Sequence, residues 1–263
     1  MLLAKKIIRA VRIRADRLKP RRFQSYCVGA AKTGTTSLAQ SLRTVCRAQH
    51  EPEPQRTNRL VLAYVQGQLD REAAKAYLIR RDRRLRLEME SAHPLGYMAG
   101  LLAEAFPEAR FVVTIREPLA WLRSRLNYHH EADPPAWREY RAYFLEDGEQ
   151  GRPPEEAPLA PYGLSSLDTY LSQYADHYQR VFAEVPPARR LLVKTAALSD
   201  RLSDIARFIG AEAEPLERAH SKRTTKPITP LDEMDPGYVR AKIWRHCEAL
   251  IRAHFPDRVG VYA

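Results

Sequence analysis

The sequence predicts an α/β fold, a single domain in which a central parallel β-sheet is flanked by helices. Three observations predict it. Short apolar runs alternate with longer segments of helical spacing, the pattern of successive βα units. The first run, 26–28, ends at Gly29 and passes directly into a helical pattern. Finally, 263 residues without a composition break suit one core, so 23–263 reads as one domain behind a basic amino-terminal extension, 1–22.

The elements follow in order. After the strand 26–28, the segment 35–46 is helical, because Leu38, Leu42 and Val45 recur on one side. Residues 58–79 read as one or two helices of mixed polarity, 85–89 as a second strand, and 95–105 as a helix ended by Phe106-Pro107. The strand 110–115 and the helix 118–128, opened by Pro118, make the next βα unit. An aromatic-rich helix covers 166–185, a fourth strand 191–194, and a helix 200–209 is stopped by Gly210. The final helix is 236–254.

The first corner carries the chemistry. In Tyr26-Cys27-Val28-Gly29-Ala30-Ala31-Lys32-Thr33-Gly34-Thr35-Thr36-Ser37 a small-residue turn aims backbone N–H groups and the positive end of a helix dipole at one point. An anion belongs there. The ATP and GTP loop needs Lys-Ser/Thr directly after its second glycine, whereas Lys32 here precedes Gly34. In this register the lysine reaches the outer part of a phospho-anhydride while Gly34, Thr35 and Thr36 hold the inner phosphate. A second corner, Phe111-Val112-Val113-Thr114-Ile115-Arg116-Glu117-Pro118, delivers Arg116 at a strand's carboxyl end, and Ser124 follows eight residues later. A guanidinium fork with a nearby hydroxyl suits a phosphate dianion.

These two motifs, in this order, resemble those of sulfotransferases that use 3′-phosphoadenosine 5′-phosphosulfate, over about 25–210. The resemblance implies the P-loop-like sulfotransferase architecture. It also implies a 5′-phosphosulfate loop from Lys32, Thr33, Gly34, Thr35, Thr36 and Ser37, and a 3′-phosphate grip from Arg116 and Ser124. Sulfuryl transfer needs a base, a cation for the leaving phosphate and in-line placement, and no metal. Lys32 is the expected cation. Family members carry a basic carboxylate about twenty residues past the loop lysine, or a histidine further along. Glu51 stands nineteen residues past Lys32, which makes Glu51 the first candidate for the base and His50 the second. Glu88, Glu90 and His93 lie near the next strand's end and are the fallback for the base, although they read first as structural or substrate-orienting.

Two stretches depart from the family pattern. The loop His220-Ser221-Lys222-Arg223-Thr224-Thr225-Lys226 concentrates cations where relatives fold a basic loop over the 3′-phosphate, so Lys222 and Arg223 are candidate ligands, but the usual Arg-Lys-Gly is missing. Relatives also show a tyrosine and two acids where Lys194-Thr195-Ala196-Ala197 stands here. Residues 129–163 hold six prolines among acids and aromatics, so no regular element is expected, and the position suits a substrate lid. Trp137, Tyr140, Tyr143 and Phe144 supply apolar area that a disordered loop lacks.

A formal charge of +11 fits a doubly phosphorylated donor and an anionic acceptor, because a positive face focuses such ligands. Arginine clusters at 5–22 and 80–86 lean towards a glycan, glycolipid or other anionic hydroxyl compound, with no specific nucleic acid partner. No apolar run approaches the roughly twenty residues of a membrane span, so a cytoplasmic enzyme is expected. The mixed aliphatic and basic amino terminus suits a helical lead-in or a peripheral contact with an inner membrane surface. Cys27, Cys46 and Cys247 are scattered, with neither zinc spacing nor a disulfide framework. Two other functions fit parts of this pattern. One is an ATP-dependent small-molecule or sugar kinase, which the lysine order disfavours. The other is a non-enzymatic polyanion binder, which leaves the spacing of Arg116 and Ser124 unexplained.

Overall fold

The computed structural model describes residues 20–147, 151–213, 216 and 227–263. Five parallel strands make one sheet: β1 (Ser25–Cys27), β2 (Ala48–His50), β3 (Met89–Ser91), β4 (Arg110–Ile115) and β5 (Arg190–Lys194). Their spatial order is β2-β3-β1-β4-β5. The chain moves from β1 to one edge and returns past it to β4, so the order reverses beside β1. Open parallel sheets bind ligands at the carboxyl ends of such strands.

β1, β3 and β4 are buried on both faces, and β4 accordingly carries a nearly continuous apolar run. Alternation along β4 divides the core. Phe111, Val113 and Ile115 pack on one face with Tyr26, while Val112 joins Cys27 and Val193 on the other. The first face is covered by α2 (Pro54–Val65), α4 (Ala99–Ala105), α5 (Pro118–Glu131), α7 (Leu167–Glu184) and α9 (Pro236–His254). The second is covered by α1 (Thr35–Leu42) and α8 (Leu202–Ile209).

The strand 110–115 and the helix 236–254 lie where the sequence predicts them. Elsewhere the boundaries differ for identifiable reasons. The helix expected over 35–46 ends at Leu42, and the chain turns into β2, an edge strand that was not expected. Ala48-Gln49-His50 has no β-branched residue and no alternation, and it is a strand because it pairs in register with Met89, Glu90 and Ser91. The region 58–79 is two helices, α2 and α3 (Arg71–Leu85). Gly67 at φ 71° and the Asp70 cap, which accepts from the Ala73 N–H at 2.8 Å, separate them. The strand expected at 85–89 is displaced to Met89–Ser91, because α3 continues to Leu85 and closes on Arg86 in the left-handed region. Residues 129–163 are more regular than expected. They include the end of α5, the helix α6 (Arg138–Phe144) and 3-10 turns at Pro135–Trp137 and Pro154–Tyr162. Pro135 and Pro154 open their turns, where a missing N–H costs nothing, and buried Trp137 and Tyr140 anchor the segment. Most of the amino-terminal extension and the loop with Lys222 and Arg223 lie outside the described residues. All three cysteines are buried thiols. Among the described residues no helix is long and apolar enough to cross a membrane.

Gly29 fixes the contact between β1 and β4. A Cβ there would lie 2.0 Å from Thr114 Oγ1 and 2.5 Å from the Thr114 carbonyl oxygen, so the strands would have to separate. Gly29→Ala is therefore expected to lower unfolding free energy by about 1–3 kcal/mol, read from the midpoint of a urea titration.

Candidate active site

The loop after β1 is held from behind by its carbonyl groups. Val28 O accepts from His177 Nε2 at 2.7 Å, Ala30 O from the Thr33 hydroxyl at 2.6 Å, and Ala31 O from Trp121 Nε1 at 2.8 Å. Thr33 O accepts from the Thr195 hydroxyl at 2.7 Å, and Arg116 Nη1 lies 3.5 Å from Lys32 O. With the carbonyls committed inward, the loop presents its other side to a pocket of about 190 Å³. The first amides of α1 have no intrahelical acceptor, and Gly34, Thr35, Thr36 and Ser37 line that pocket. Gly34 has φ 97°, and Lys32 has φ 68°, a conformation non-glycine residues seldom hold without a functional reason.

Lys32 lines the pocket with Nζ 4.7 Å from the centre of the Tyr128 ring. Thr33 differs from its loop neighbours. Its side chain is fully buried and bonds Ala30 O and the Thr114 hydroxyl, the latter at 2.7 Å, so it braces the loop and any ligand contact falls to its backbone.

Arg116 and Ser124 line the same pocket, from the β4 corner and from α5. Arg116 has no carboxylate within ion-pair range among the described residues. Its neighbour Glu117 is used elsewhere: it caps α5 through the Ala120 N–H at 2.9 Å and accepts from the Tyr262 hydroxyl. Burial pulls the Arg116 guanidinium pKa below its usual value, and the nearby Tyr174 and Glu117 offset only part of that.

β2 and β3 deliver the remaining candidates. His50 is engaged at both ring nitrogens: Nδ1–H donates to Ser91 O at 3.0 Å, which leaves Nε2 of the neutral ring to accept from the Thr36 hydroxyl at 2.8 Å. Glu51, with φ 45°, reaches the pocket wall, and Oε1 accepts from His93 Nδ1–H at 2.9 Å. Glu51 Oε2 lies 3.5 Å from His50 Nε2. His93 stacks on Trp137 with ring centres 4.9 Å apart, and its Nε2 is enclosed without a partner. Burial lowers the His93 pKa, and Glu51 opposes that in part. A carboxylate thus fixes one ring nitrogen and leaves the other as an acceptor, the arrangement of a general base.

The other two carboxylates do not reach the pocket. Glu88 bonds the Arg22 guanidinium and the Arg47 N–H, the latter at 3.0 Å. Burial raises the Glu88 pKa, but these bonds outweigh it and hold it at about 2. Glu90 makes a buried fork with Arg81 at 2.6 Å on both arms, and Arg81 Nη2 also bonds Pro52 O at 3.1 Å, next to Glu51. Among the described residues no cluster of His, Cys, Asp and Glu is arranged to hold a metal ion.

Sequence reasoning did not single out Thr195, Arg125, Tyr128 or Arg141, which also line the pocket. His93 stands just beyond the carboxyl end of β3, a position that the sequence pattern, which places this strand at 85–89, does not bring out.

The family model described as a sulfotransferase domain matches residues 26–213. Among solved structures, a sulfotransferase from Alicyclobacillus acidocaldarius is similar at 18% identity, covering 88% of this chain and 95% of that one, with a TM-score of 0.50. A search of curated proteins gives no match.

Proposed function

The chain belongs to the sulfotransferase family, and from that premise we propose that it moves a sulfuryl group from 3′-phosphoadenosine 5′-phosphosulfate to a hydroxyl acceptor, a glycan, glycolipid or other small molecule. One observation carries the choice of donor: the Lys32 loop and the Arg116–Ser124 pair line one pocket, and among the described residues Arg116 has no carboxylate within ion-pair range. A nucleotide with phosphates at both ends uses both grips.

The donor supplies an SO₃-like group on a phosphate leaving group. Lys32 and the α1 amides stabilise the negative charge that grows on the departing oxygen, in a loop already fixed for that task. Arg116 and Ser124 hold the distant phosphate and set the line of attack. The Glu51–His93 pair takes the acceptor proton: a side-chain movement opens the enclosed Nε2 of His93 to the hydroxyl, Nε2 accepts the proton, and Glu51 stabilises the resulting imidazolium. His50 accepts from the Thr36 hydroxyl and so orients that side chain at the pocket. Trp137 and α6 form the acceptor wall, the role expected for 129–163.

Two outcomes are expected. In thermal-shift measurements adenosine 3′,5′-bisphosphate raises Tm without magnesium, ATP with magnesium does not, and Lys32→Ala and Arg116→Ala each reduce the shift. No shift with the bisphosphate would refute the donor assignment. In kinetics, His93→Ala and Glu51→Gln lower kcat about 10²–10⁴-fold while bisphosphate affinity is kept. Because burial lowers the His93 pKa, activity is retained as pH falls below the usual imidazole value of about 6.5 and is lost only as His93 protonates. Glu51→Gln removes a raising influence, so the acid limb of kcat/KM moves lower still.

A further inference from the structure

We infer that the acceptor carries an anionic group next to the hydroxyl that is sulfated, and that Arg125 is the residue that recognises it. This rests on the sulfotransferase reading of the same pocket and adds a substrate class to it.

Arg125 follows Ser124 on α5 and is 4% exposed. Its Nε is enclosed without an acceptor, and no carboxylate among the described residues forms an ion pair with it. Its surroundings are Tyr128, Tyr140 and Tyr170, with a second cation, Arg141. Arg141 Nη2 is also enclosed without a partner. The positive field of this pair, added to burial, keeps the neighbouring His129 pKa well below its usual value. An isolated buried charge is costly, and a fold keeps one where a ligand completes it. Arg125 borders both the main pocket and a smaller cavity lined by Tyr97 and Tyr140, so its open side is ligand space.

The missing anion belongs to the acceptor, because each phosphate of the nucleotide already has its own grip: Lys32 with the α1 amides at one end, Arg116 with Ser124 at the other. Arg125 instead shares its wall with His93 and Tyr140, whose rings are 5.7 Å apart at their centres. Arg125 and His93 line the same two cavities, so a carboxylate, sulfate or phosphate held by Arg125 puts the adjacent hydroxyl on the wall that His93 shares.

The test uses the full chain saturated with adenosine 3′,5′-bisphosphate, so that the nucleotide grips are occupied. 2-Hydroxybenzoate, whose carboxylate is adjacent to its hydroxyl, and its neutral amide, 2-hydroxybenzamide, are titrated against the wild type and Arg125→Met, with Kd and Tm as readouts. The expected result is at least about tenfold tighter binding of the acid than of the amide. That preference disappears in Arg125→Met, whose Tm without ligand equals or exceeds the wild type because an uncompensated buried charge is gone. Three results would overturn the inference: the two probes behave alike in the wild type, including no binding by either; the preference survives Arg125→Met; or Arg125→Met lowers Tm by several degrees, which makes the residue structural. Failure of the bisphosphate to bind either protein is read separately and strikes the donor assignment.

Discussion

The inward commitment of the carbonyl groups between Val28 and Thr33 is the constraint on which the rest of this molecule depends. Side chains from four separate places supply the donors: Thr33 within the loop, Trp121 on α5, His177 on α7 and Thr195 after β5. Each removes one choice from the loop, and the start of α1 is left to face the pocket. Preorganised donors of this kind need no rearrangement as charge develops. The cost is local: Lys32 sits in the left-handed region, and Gly29 tolerates no Cβ against Thr114.

The second organising feature is how the positive charge is distributed. Much of the arginine that makes the chain basic is structural. Arg22 and Arg47 hold Glu88, Arg81 holds Glu90, Arg84 holds Glu53, and Arg21 holds Asp82. The 80–86 cluster therefore braces α3 against the sheet and the Glu51 turn, and only part of it is a solvated basic face. Arg116 and Arg125 are the exceptions at the pocket, two guanidinium groups with no carboxylate partner among the described residues. Among the described residues, charge is balanced where the fold needs strength and left without a carboxylate partner at these two positions on the pocket.

How much of this was readable in advance follows from what each signal depends on. The β4 strand, the Arg116 corner and the last helix were legible because long apolar or amphipathic runs carry their own pattern. The loop at Lys32 was legible through glycine and hydroxyl spacing. β2 was not, since three residues without β-branching become a strand only by pairing with β3. Missing β2 concealed why His50 and Glu51 end up beside Ser91 and His93. The Glu51–His93 contact, the inward turn of Thr33 and the isolation of Arg125 are tertiary facts, set by residues dozens of positions apart. The helix α6 was hidden by its proline-rich context, although Trp137 and Tyr140 marked the segment as one that packs.

The most direct test of the two-grip site is a calorimetric titration of adenosine 3′,5′-bisphosphate against adenosine 5′-phosphate, on the wild type and on Arg116→Ala. With Arg116 holding the 3′-phosphate, the bisphosphate binds the wild type more tightly by about 2–3 kcal/mol, and the two nucleotides become equal in the variant. Equal affinities in the wild type would contradict a single ligand spanning the Lys32 loop and Arg116.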